Sequence, residues 1–267
     1  MSALRLEEVW FGYDDTPVLK GVALDVAGGE AVALLGRNGV GKTTLTKLVV
    51  ALLQPRSGLV RVGGRITEGK APEDVARLAA YVFQHPDQQL FARTVWSEVA
   101  FGPRQQELSP DETRVIVSEA LERVGLEAYA EVHPYDLPAA QRKLVTIAAA
   151  MAQRPRVLVL DEPTQGLDRA GVGRVADILR SLTQDDVAVL AVTHDLAFVA
   201  EALGRAIVLA DGRVAYDGPS RELVLDAVRA RELGLEVPPA AALGAALGLP
   251  GRPVKVREVV DALRGER

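Results

Sequence analysis

The segment GRNGVGKTT, residues 36–44, constrains the fold of this chain more than any other stretch. It follows the apolar run AVALLG and opens a segment with helical spacing, so it lies at a turn from a buried strand to a helix. Gly36, Gly39 and Gly41 allow the backbone to turn tightly enough for consecutive N–H groups to point inward at an anion. In this context the pattern G-x-x-x-x-G-K-[ST] predicts a phosphate-binding loop.

Two side chains of this loop carry the chemistry. Lys42 is placed to bridge the β- and γ-phosphates of a nucleoside triphosphate, and the hydroxyl of Thr43 is a suitable ligand for Mg²⁺. The loop also supplies a local positive potential, which the whole chain lacks because its formal net charge is -5. A glycine-rich turn without a ligand is the alternative interpretation.

Two carboxylates end the buried strand VLVLDE, residues 157–162. Open α/β sheets bind their ligands at the C-terminal ends of strands. We therefore expect Asp161 to hold Mg²⁺ through water and Glu162 to polarise the attacking water. A solvated turn is the alternative. A third apolar strand, VAVLAVTH, ends in His194, whose best role beside these acids is a hydrogen bond to the γ-phosphate or to the attacking water.

Composition restricts the classes of protein to which the chain can belong. With 267 residues, 48% of them hydrophobic, it can bury the core of one large or two modest domains. The acidic balance, without a long run of Lys and Arg, argues against broad nucleic-acid binding. No cysteine is present, which excludes disulfides and thiolate metal sites. No stretch approaches the roughly 18 apolar residues of a membrane span, so we expect a membrane to be reached only through a partner.

The hydrophobic pattern predicts an α/β core. The alternating segments LRLEEVWF, VALDV and LVRVGG favour half-exposed antiparallel strands, whereas the three continuous apolar runs favour buried parallel strands. Helices are expected from Lys42, near 170–183 and near 196–203. The segment IVLADGRVAYDG predicts a hairpin with Asp-Gly at its turn. These elements predict a nucleotide-binding α/β core in residues 1–83 and 154–229.

Two other regions are predicted to be helical. Between residues 84 and 153 the pattern changes to helix without strand, which predicts a helical subdomain inserted into the core. Within it, SPDE predicts a capping box with Ser109 as N-cap and Glu112 at N3, and Gly125 ends the helix. From about residue 230 to 267 we expect a separate helical extension.

The segment HPYDLPAAQRKL, residues 133–144, starts another helix. If Pro138 lies in its first turn, where a missing N–H costs nothing, the remaining free N–H groups of that turn need a partner. Asp136 is the nearby candidate cap, which would make this an ordinary surface helix. The other interpretation is that the helix start faces an anion supplied by another molecule.

The order and spacing of these segments resemble the ATP-binding-cassette (ABC) ATPases over nearly the whole chain. GRNGVGKTT is similar to Walker A, VLVLDEPT to Walker B with its catalytic glutamate, and QGLD, which ends at Asp168, to the D-loop. The resemblance implies ATP and Mg²⁺ binding, ATP hydrolysis, and a switch role for His194. It also implies a Q-loop role for Gln84 and stacking of Tyr13 on adenine, although a strand-end aromatic is the alternative for Tyr13. The implied nucleotide site comprises Tyr13, Gly36, Arg37, Asn38, Gly39, Val40, Gly41, Lys42, Thr43, Thr44 and Gln84, with Thr43, Gln84 and Asp161 at the metal and Lys42, Glu162 and His194 in catalysis.

The segments FQHPDQQLF and TVWSEVAFG resemble more narrowly the ATPases of energy-coupling-factor (ECF) transporters, which import vitamins and cobalt or nickel ions. The tail, LGLEVPPAAALGAALGLP to VREVVDAL, resembles the C-terminal extension of that group and is a dimer contact or a regulatory element. The resemblance implies a peripheral place at the cytoplasmic face of the cell membrane. A transmembrane scaffold and a separate substrate-binding membrane subunit are the implied partners, with no nucleic acid. Phe91, Trp96 and Phe101 either line the groove for the scaffold's coupling helices or belong to the core.

The segment Leu137-Pro138-Ala139-Ala140-Gln141 stands where the family reads Leu-Ser-Gly-Gly-Gln, the signature that contacts the γ-phosphate held by the other subunit. Proline removes a hydroxyl and an N–H, and the alanines put methyl groups where glycine allows close approach. Charge-assisted hydrogen bonds are worth about 1.5 to 3 kcal/mol each, so losing one or two weakens that site roughly 10- to 10⁴-fold. We therefore expect a heterodimer with a paralogous ABC ATPase that has an intact signature.

Two other functions fit parts of the pattern. A regulatory cassette that binds ATP with little hydrolysis would explain the altered signature, but such a cassette has no need for Glu162 and His194. A soluble cassette ATPase that acts on nucleic acid or ribosomes would usually join two cassettes or carry basic arms, and the chain shows neither.

Overall fold

The computed structural model describes residues 2–265. Its strands are β1 (Ser2–Tyr13), β2 (Thr16–Ala27), β3 (Ala31–Leu35), β4 (Ser57–Val62), β5 (Arg65–Ile66), β6 (Ala79–Val82), β7 (Val157–Asp161), β8 (Ala188–Val192), β9 (Arg205–Ala210) and β10 (Arg213–Pro219). Its helices are α1 (Lys42–Val49), α2 (Pro72–Val75), α3 (Val95–Val99), α4 (Phe101–Gln105), α5 (Pro110–Val124), α6 (Ala139–Ala152), α7 (Arg169–Gln184), α8 (Leu196–Ala202), α9 (Ser220–Leu225), α10 (Ala227–Glu232), α11 (Pro239–Ala246) and α12 (Val256–Arg264).

The strands form two sheets. A four-stranded antiparallel sheet has the order β2-β1-β4-β5, and a six-stranded sheet has the order β10-β9-β3-β8-β7-β6. In the second sheet β9, β3, β8, β7 and β6 are parallel, and only β10 is antiparallel to its neighbour. The predicted hairpin joins β9 to β10 through Asp211 and Gly212, whose φ angles are 50° and 77°. Positive φ at both positions is what the predicted Asp-Gly turn requires.

The parallel strands are buried on both faces. In β3, Val32 and Leu34 belong to the core cluster shared with the antiparallel sheet, whereas Ala33 and Leu35 belong to the cluster covered by helices. Successive side chains of a strand point to opposite faces, so a strand that separates two cores needs apolar residues at every position. This explains the absence of alternation in AVALLG and confirms the predicted α/β core.

Helices α3 to α6 occupy the region from residue 84 to 153, where the structure contains no strand among the residues that it describes. The capping box at the start of α5 is present as predicted, with the Ser109 side chain accepting from the Glu112 N–H and Glu112 accepting from the Ser109 N–H. Gly125 ends α5 with φ of 69°. Trp96 packs partly buried against the core cluster of this region.

The tail is helical, as expected, but it shares the core instead of standing apart from it. The predicted boundary near residue 230 falls inside α10, which begins at Ala227. Ala241 and Val254 are buried in the helix-covered core cluster, and Leu233 and Leu235 pack against it. Within residues 2–265, no helix combines the length and the apolar character needed to cross a bilayer.

Candidate nucleotide site

The ends of β3, β7 and β8 open on one cavity of 740 Å³, which brings together the loop, the two acids and the histidine of the sequence prediction. Parallel strands that are neighbours in a sheet present their C-terminal ends at the same edge, which is why three distant segments meet. The cavity is lined by Tyr13, Val18, Asn38, Gly39, Gly41, Lys42, Thr43, Thr44, Gln84, Asp161, Glu162, Gln165, Val192 and His194.

Glycine is needed at two positions of the loop between β3 and α1. Gly36 has φ of 138°, and a Cβ added there would collide with the carbonyl oxygen of Leu209. Gly41 has φ of 110°, and an added Cβ would lie 2.8 Å from Cδ2 of Leu19. L-residues with side chains rarely adopt these angles. The loop therefore follows the tight path that the sequence predicts.

The backbone of the loop forms an anion cradle. The N–H groups of Gly39, Gly41, Lys42, Thr43 and Thr44 have no hydrogen-bond partner among residues 2–265. Unpaired N–H groups at the start of a helix, here α1, attract negative charge. The loop consequently fits the phosphates of a nucleotide.

Lys42 folds back over this loop. Its Nζ donates to the carbonyl oxygens of Gly36 at 2.7 Å and Arg37 at 3.0 Å. Burial lowers the pKa of the Lys42 ammonium, while the negative charges of Glu162 and Asp161 oppose that shift. The ammonium thus lies between the loop and the two acids.

Glu162 is held by several neighbours at the end of β7. Its backbone has φ of 48°, and its N–H donates to the carbonyl oxygen of Val192 at 2.8 Å. Its carboxylate accepts from the Thr193 hydroxyl at 3.2 Å and lies 2.8 Å from Nδ1 of His194. The Glu162 side chain is 13% exposed and that of His194 is 78% exposed. A largely buried acid and an accessible imidazole therefore form one pair at the mouth of the cavity.

The pair changes the titration of the imidazole. The hydrogen bond and the charge of Glu162 raise the pKa of His194, with smaller contributions from Asp195 and from Glu236 in the tail. Protonated His194 is favoured because it donates to a carboxylate.

Asp161 has a hydrogen-bond donor that the sequence did not reveal. The Tyr81 hydroxyl on β6 donates to Oδ2 of Asp161 at 2.9 Å and lies 3.4 Å from the Thr46 hydroxyl. Burial raises the pKa of Asp161, while the Tyr81 bond and the ammonium groups of Lys143 and Lys42 oppose that shift. A tyrosine among the aliphatic residues of AAYV was the available signal.

Gln84 and Tyr13 also reach the cavity. Nε2 of Gln84 donates to Oε1 of Gln165 at 2.9 Å, a contact between two loops that the sequence reading did not anticipate. The ring of Tyr13 is exposed, lies edge-to-face on Phe11 with centroids 5.1 Å apart, and places its hydroxyl 3.5 Å from that of Thr44. Stacking of Tyr13 on adenine stays a prediction.

Two residues predicted to bind the nucleotide, Arg37 and Val40, line a neighbouring cavity of 600 Å³ instead. The tail forms part of its wall, and a Cβ added at Gly234 would lie only 2.7 Å from Cδ of Arg37. Neither residue lines the cavity of the acids, and their contact with a nucleotide stays a prediction. The turn after α10 rests on the outer side of the phosphate loop, which no sequence motif indicated.

The start of α6 differs from the expectation that Asp136 caps it. Pro138 is the N-cap residue and no side chain caps the helix, because Asp136 belongs to the preceding 3-10 turn, Pro134–Asp136. The interpretation of Asp136 as the cap was therefore wrong. The N–H groups of Ala139, Ala140 and Gln141 lack a partner within residues 2–265.

None of the residues from Leu137 to Gln141 lines the cavity of the acids. Leu137 is buried, while Pro138 and Ala139 are exposed. The predicted D-loop residue Asp168 accepts from the Gly171 N–H at 2.8 Å and caps α7. The signature segment thus presents its bare helix start to the outside and not to its own chain's site.

A family profile described as "ABC transporter" matches residues 19–165. This chain belongs to the ABC transporter ATP-binding family. It is 38% identical over 264 residues to a putative ABC transporter ATP-binding protein of Pyrococcus furiosus, covering 98% of each chain. It is also 42% identical over 254 residues to the energy-coupling factor transporter ATP-binding protein EcfA1 of Symbiobacterium thermophilum, covering 92% of this chain and 88% of the relative.

A solved structure has the same fold. The ABC transporter subunit cbiO1 of Clostridium perfringens, part of the cbiONQ complex, matches with a TM-score of 0.79 and 32% identity, covering 93% of this chain and 99% of that chain. The predicted family and fold are confirmed. The chain is an ATP-binding, ATP-hydrolysing subunit of a transporter.

Proposed function

We propose that this chain is the hydrolytically competent member of an asymmetric pair of ABC ATPases that powers an ECF-type importer of a vitamin or a transition-metal ion. The observation that carries the proposal is a contrast within one chain. The cavity of the acids holds Lys42, Glu162 and His194 together, whereas the start of α6 has neither a side-chain cap nor glycines.

In the proposed reaction Glu162 acts as general base for the water that attacks the γ-phosphate. A carboxylate is suited to this role when it is ionised and within hydrogen-bond reach of the water. His194, 2.8 Å from that carboxylate, orients the water or donates to the γ-phosphate. Lys42 and the N–H groups of the loop stabilise the negative charge of the phosphates.

The residues at the cavity also fit Mg²⁺. Thr43, Gln84 and Asp161 offer a hydroxyl, an amide and a carboxylate oxygen around one space, which is the oxygen-rich set that Mg²⁺ prefers. The ion, if held there by these residues, would neutralise negative charge on the phosphates. Consistent with a set that includes only one carboxylate, residues 2–265 contain no cluster of three or more His, Cys, Asp or Glu side chains suited to a metal.

The paired assembly follows from what α6 offers to a neighbour. If the start of α6 faces a γ-phosphate held by a second subunit, Pro138, Ala139 and Ala140 provide fewer donors and less room than Ser-Gly-Gly. Two copies of this chain would then form two weak sites. A paralogous ATPase with an intact signature would complete the site on this chain's phosphate loop.

The ECF assignment rests on the relatives and on an aromatic pair. The names of the Symbiobacterium and Clostridium relatives refer to an energy-coupling factor transporter and to the cbiONQ complex. Phe91 and Phe101 are 64% and 46% exposed, with ring centroids 4.9 Å apart. Two exposed phenylalanines in contact favour a docking surface for a transmembrane scaffold over the core role that was their alternative. The chain would then lie peripherally at the cytoplasmic face of the membrane.

Mixing the purified subunits tests the proposal. This chain combined with its paralogue should hydrolyse ATP at least about tenfold faster than either subunit alone, the lower bound for one lost charge-assisted hydrogen bond. Equal specific activity of this chain alone would contradict the asymmetric pair.

Co-purification tests the membrane partner. The pair should co-purify with a transmembrane subunit, and Phe91→Ala/Phe101→Ala should abolish that association. Val115→Ala, another exposed apolar side chain, is the matched control and should leave the association intact.

A further inference from the structure

A buried lysine contacts the main chain of Glu162, the proposed general base. Lys143, on α6, is only 3% exposed, and its Nζ donates to the main-chain carbonyl oxygen of Glu162 at 2.7 Å. Lysine is almost never fully buried unless it has a partner of opposite charge or strong acceptors. Neither the phosphate loop nor the expected roles of Glu162 and His194 uses this side chain.

The bond from Lys143 helps to hold Glu162 in an unfavourable backbone conformation. Glu162 has φ of 48°, which residues other than glycine adopt only when the surroundings impose it. Its N–H donates to the carbonyl oxygen of Val192 in β8, and its carbonyl oxygen accepts from Lys143 in α6 at 2.7 Å and from the Gln165 N–H at 3.2 Å. Both polar backbone groups of Glu162 are therefore fixed, the N–H by the sheet and the carbonyl by Lys143 together with the turn at Gln165.

The charge of Lys143 also faces the two acids. Burial lowers the pKa of the Lys143 ammonium, and the carboxylates of Glu162 and Asp161 oppose that shift. Lys42 is the other ammonium close to these acids, but it is bonded to the phosphate loop and would turn to the nucleotide. Lys143, in contrast, is bonded to the main chain of Glu162 and not to the phosphate loop.

We propose that Lys143 is a positioning residue that ties Glu162 to α6 and directs its carboxylate to His194 and the attacking water. The inference rests on the proposed role of Glu162 as general base. Lys143 lies in the second turn of α6, just after residues 137–141, which face the second subunit in the proposed pair, so this contact also connects the start of α6 to the acid of its own chain.

Two substitutions test the role. Lys143→Met keeps the buried volume but removes the donor and the charge, and should lower kcat about 10- to 100-fold, as expected for a catalytic group displaced by about an ångström. Its KM for ATP and its affinity for a fluorescent ATP analogue should stay within about twofold of wild type. Lys143→Arg keeps a donor and a positive charge and should recover most of kcat. The assays use whichever assembly hydrolyses ATP, so the outcome does not depend on the asymmetric pair.

The control is Thr146→Val, which alters a fully buried polar side chain on the same helix without touching Glu162. It should lower Tm without lowering kcat. If Lys143→Met leaves kcat within twofold of wild type, or if Thr146→Val lowers kcat as much, the positioning role is wrong.

The double variant separates this inference from the one on which it rests. In a Glu162→Gln background, adding Lys143→Met should cause no further loss in single-turnover hydrolysis, because both changes act on one group. Losses that multiply would overturn the proposal. If Glu162→Gln alone leaves hydrolysis intact, the role of Glu162 fails and that of Lys143 fails with it. If Glu162→Gln abolishes hydrolysis and Lys143→Met does not lower it, only the role of Lys143 fails.

Discussion

The cavity at the ends of β3, β7 and β8 and the start of α6 differ in how completely their polar groups are partnered. In the cavity, Asp161 has Tyr81, and Glu162 has His194, Thr193 and a buried lysine. At the start of α6, three consecutive N–H groups have no partner among residues 2–265. The acids of the cavity thus have hydrogen-bond partners within the described chain, whereas these three N–H groups of the signature segment have none there.

A second helix in the same region is capped by its own side chains. The start of α5 carries a complete capping box, with Ser109 and Glu112 satisfying each other's backbone N–H groups. In this region a helix start can therefore be capped by side chains of the same segment. The bare start of α6 is consistent with a surface that a second subunit completes.

The largest expected effect is that of a substitution in the cavity, where the acids are well partnered. Glu162→Gln removes the general base and should lower kcat about 100- to 10⁴-fold, while ATP affinity changes little because the phosphate loop is untouched. Steady-state hydrolysis and equilibrium ATP binding measure the two quantities. Glu119→Gln, at an exposed acid on α5, is the control and should hydrolyse ATP normally. Unchanged turnover in Glu162→Gln would remove this residue from its role.

A smaller effect is expected when the signature segment at the start of α6 is restored. Pro138→Ser/Ala139→Gly/Ala140→Gly restores a hydroxyl, an N–H and room for close approach, so this chain alone should gain about tenfold or more in ATPase activity. The measurement is turnover against protein concentration, because the gain requires two copies to meet. The same triple change combined with Glu162→Gln should stay inactive. A restored chain with no gain would show that the segment is not what limits the chain alone.

The smallest expected effect is a change in the pKa of His194. The pKa of His194 is raised by its bond to Glu162, so Glu162→Gln should lower it toward the ordinary value. Imidazole NMR titration can follow it among only three histidines, with His194→Gln identifying the signal.

The raised pKa of His194 determines how the stability of the folded protein depends on pH. The protonated pair stabilises the fold fully below the unfolded pKa of about 6.5, and this contribution is lost as pH rises through the raised folded pKa. The difference in Tm between wild type and Glu162→Gln should accordingly shrink toward alkaline pH. A His194 pKa that is equal in both proteins would contradict the pair. Because the His194 side chain is 78% exposed, high salt should weaken the effect.

Most of the site was predictable because its signals are local. The φ angles of Gly36 and Gly41 and the start of α1 at Lys42 agree with the loop pattern, and Asp161, Glu162 and His194 lie at strand ends as expected. A loop motif does not tell which of its residues face which side, so the motif gave no sign that Arg37 and Val40 line the neighbouring cavity; their contact with a nucleotide stays a prediction. Lys143 had a signal that was not used, since it shares the buried face of α6 with Ile147 and Ala150.

The amino-acid sequence by itself determined the phosphate loop, the strand and helix types and the capping box of α5, because each depends on residues close together in the chain. Only the tertiary structure decided that Tyr81 bonds to Asp161, that Lys143 holds Glu162, and that the turn at Gly234 rests on Arg37. Those contacts join separate elements, so they exist only once the sheet order and the helix packing are set.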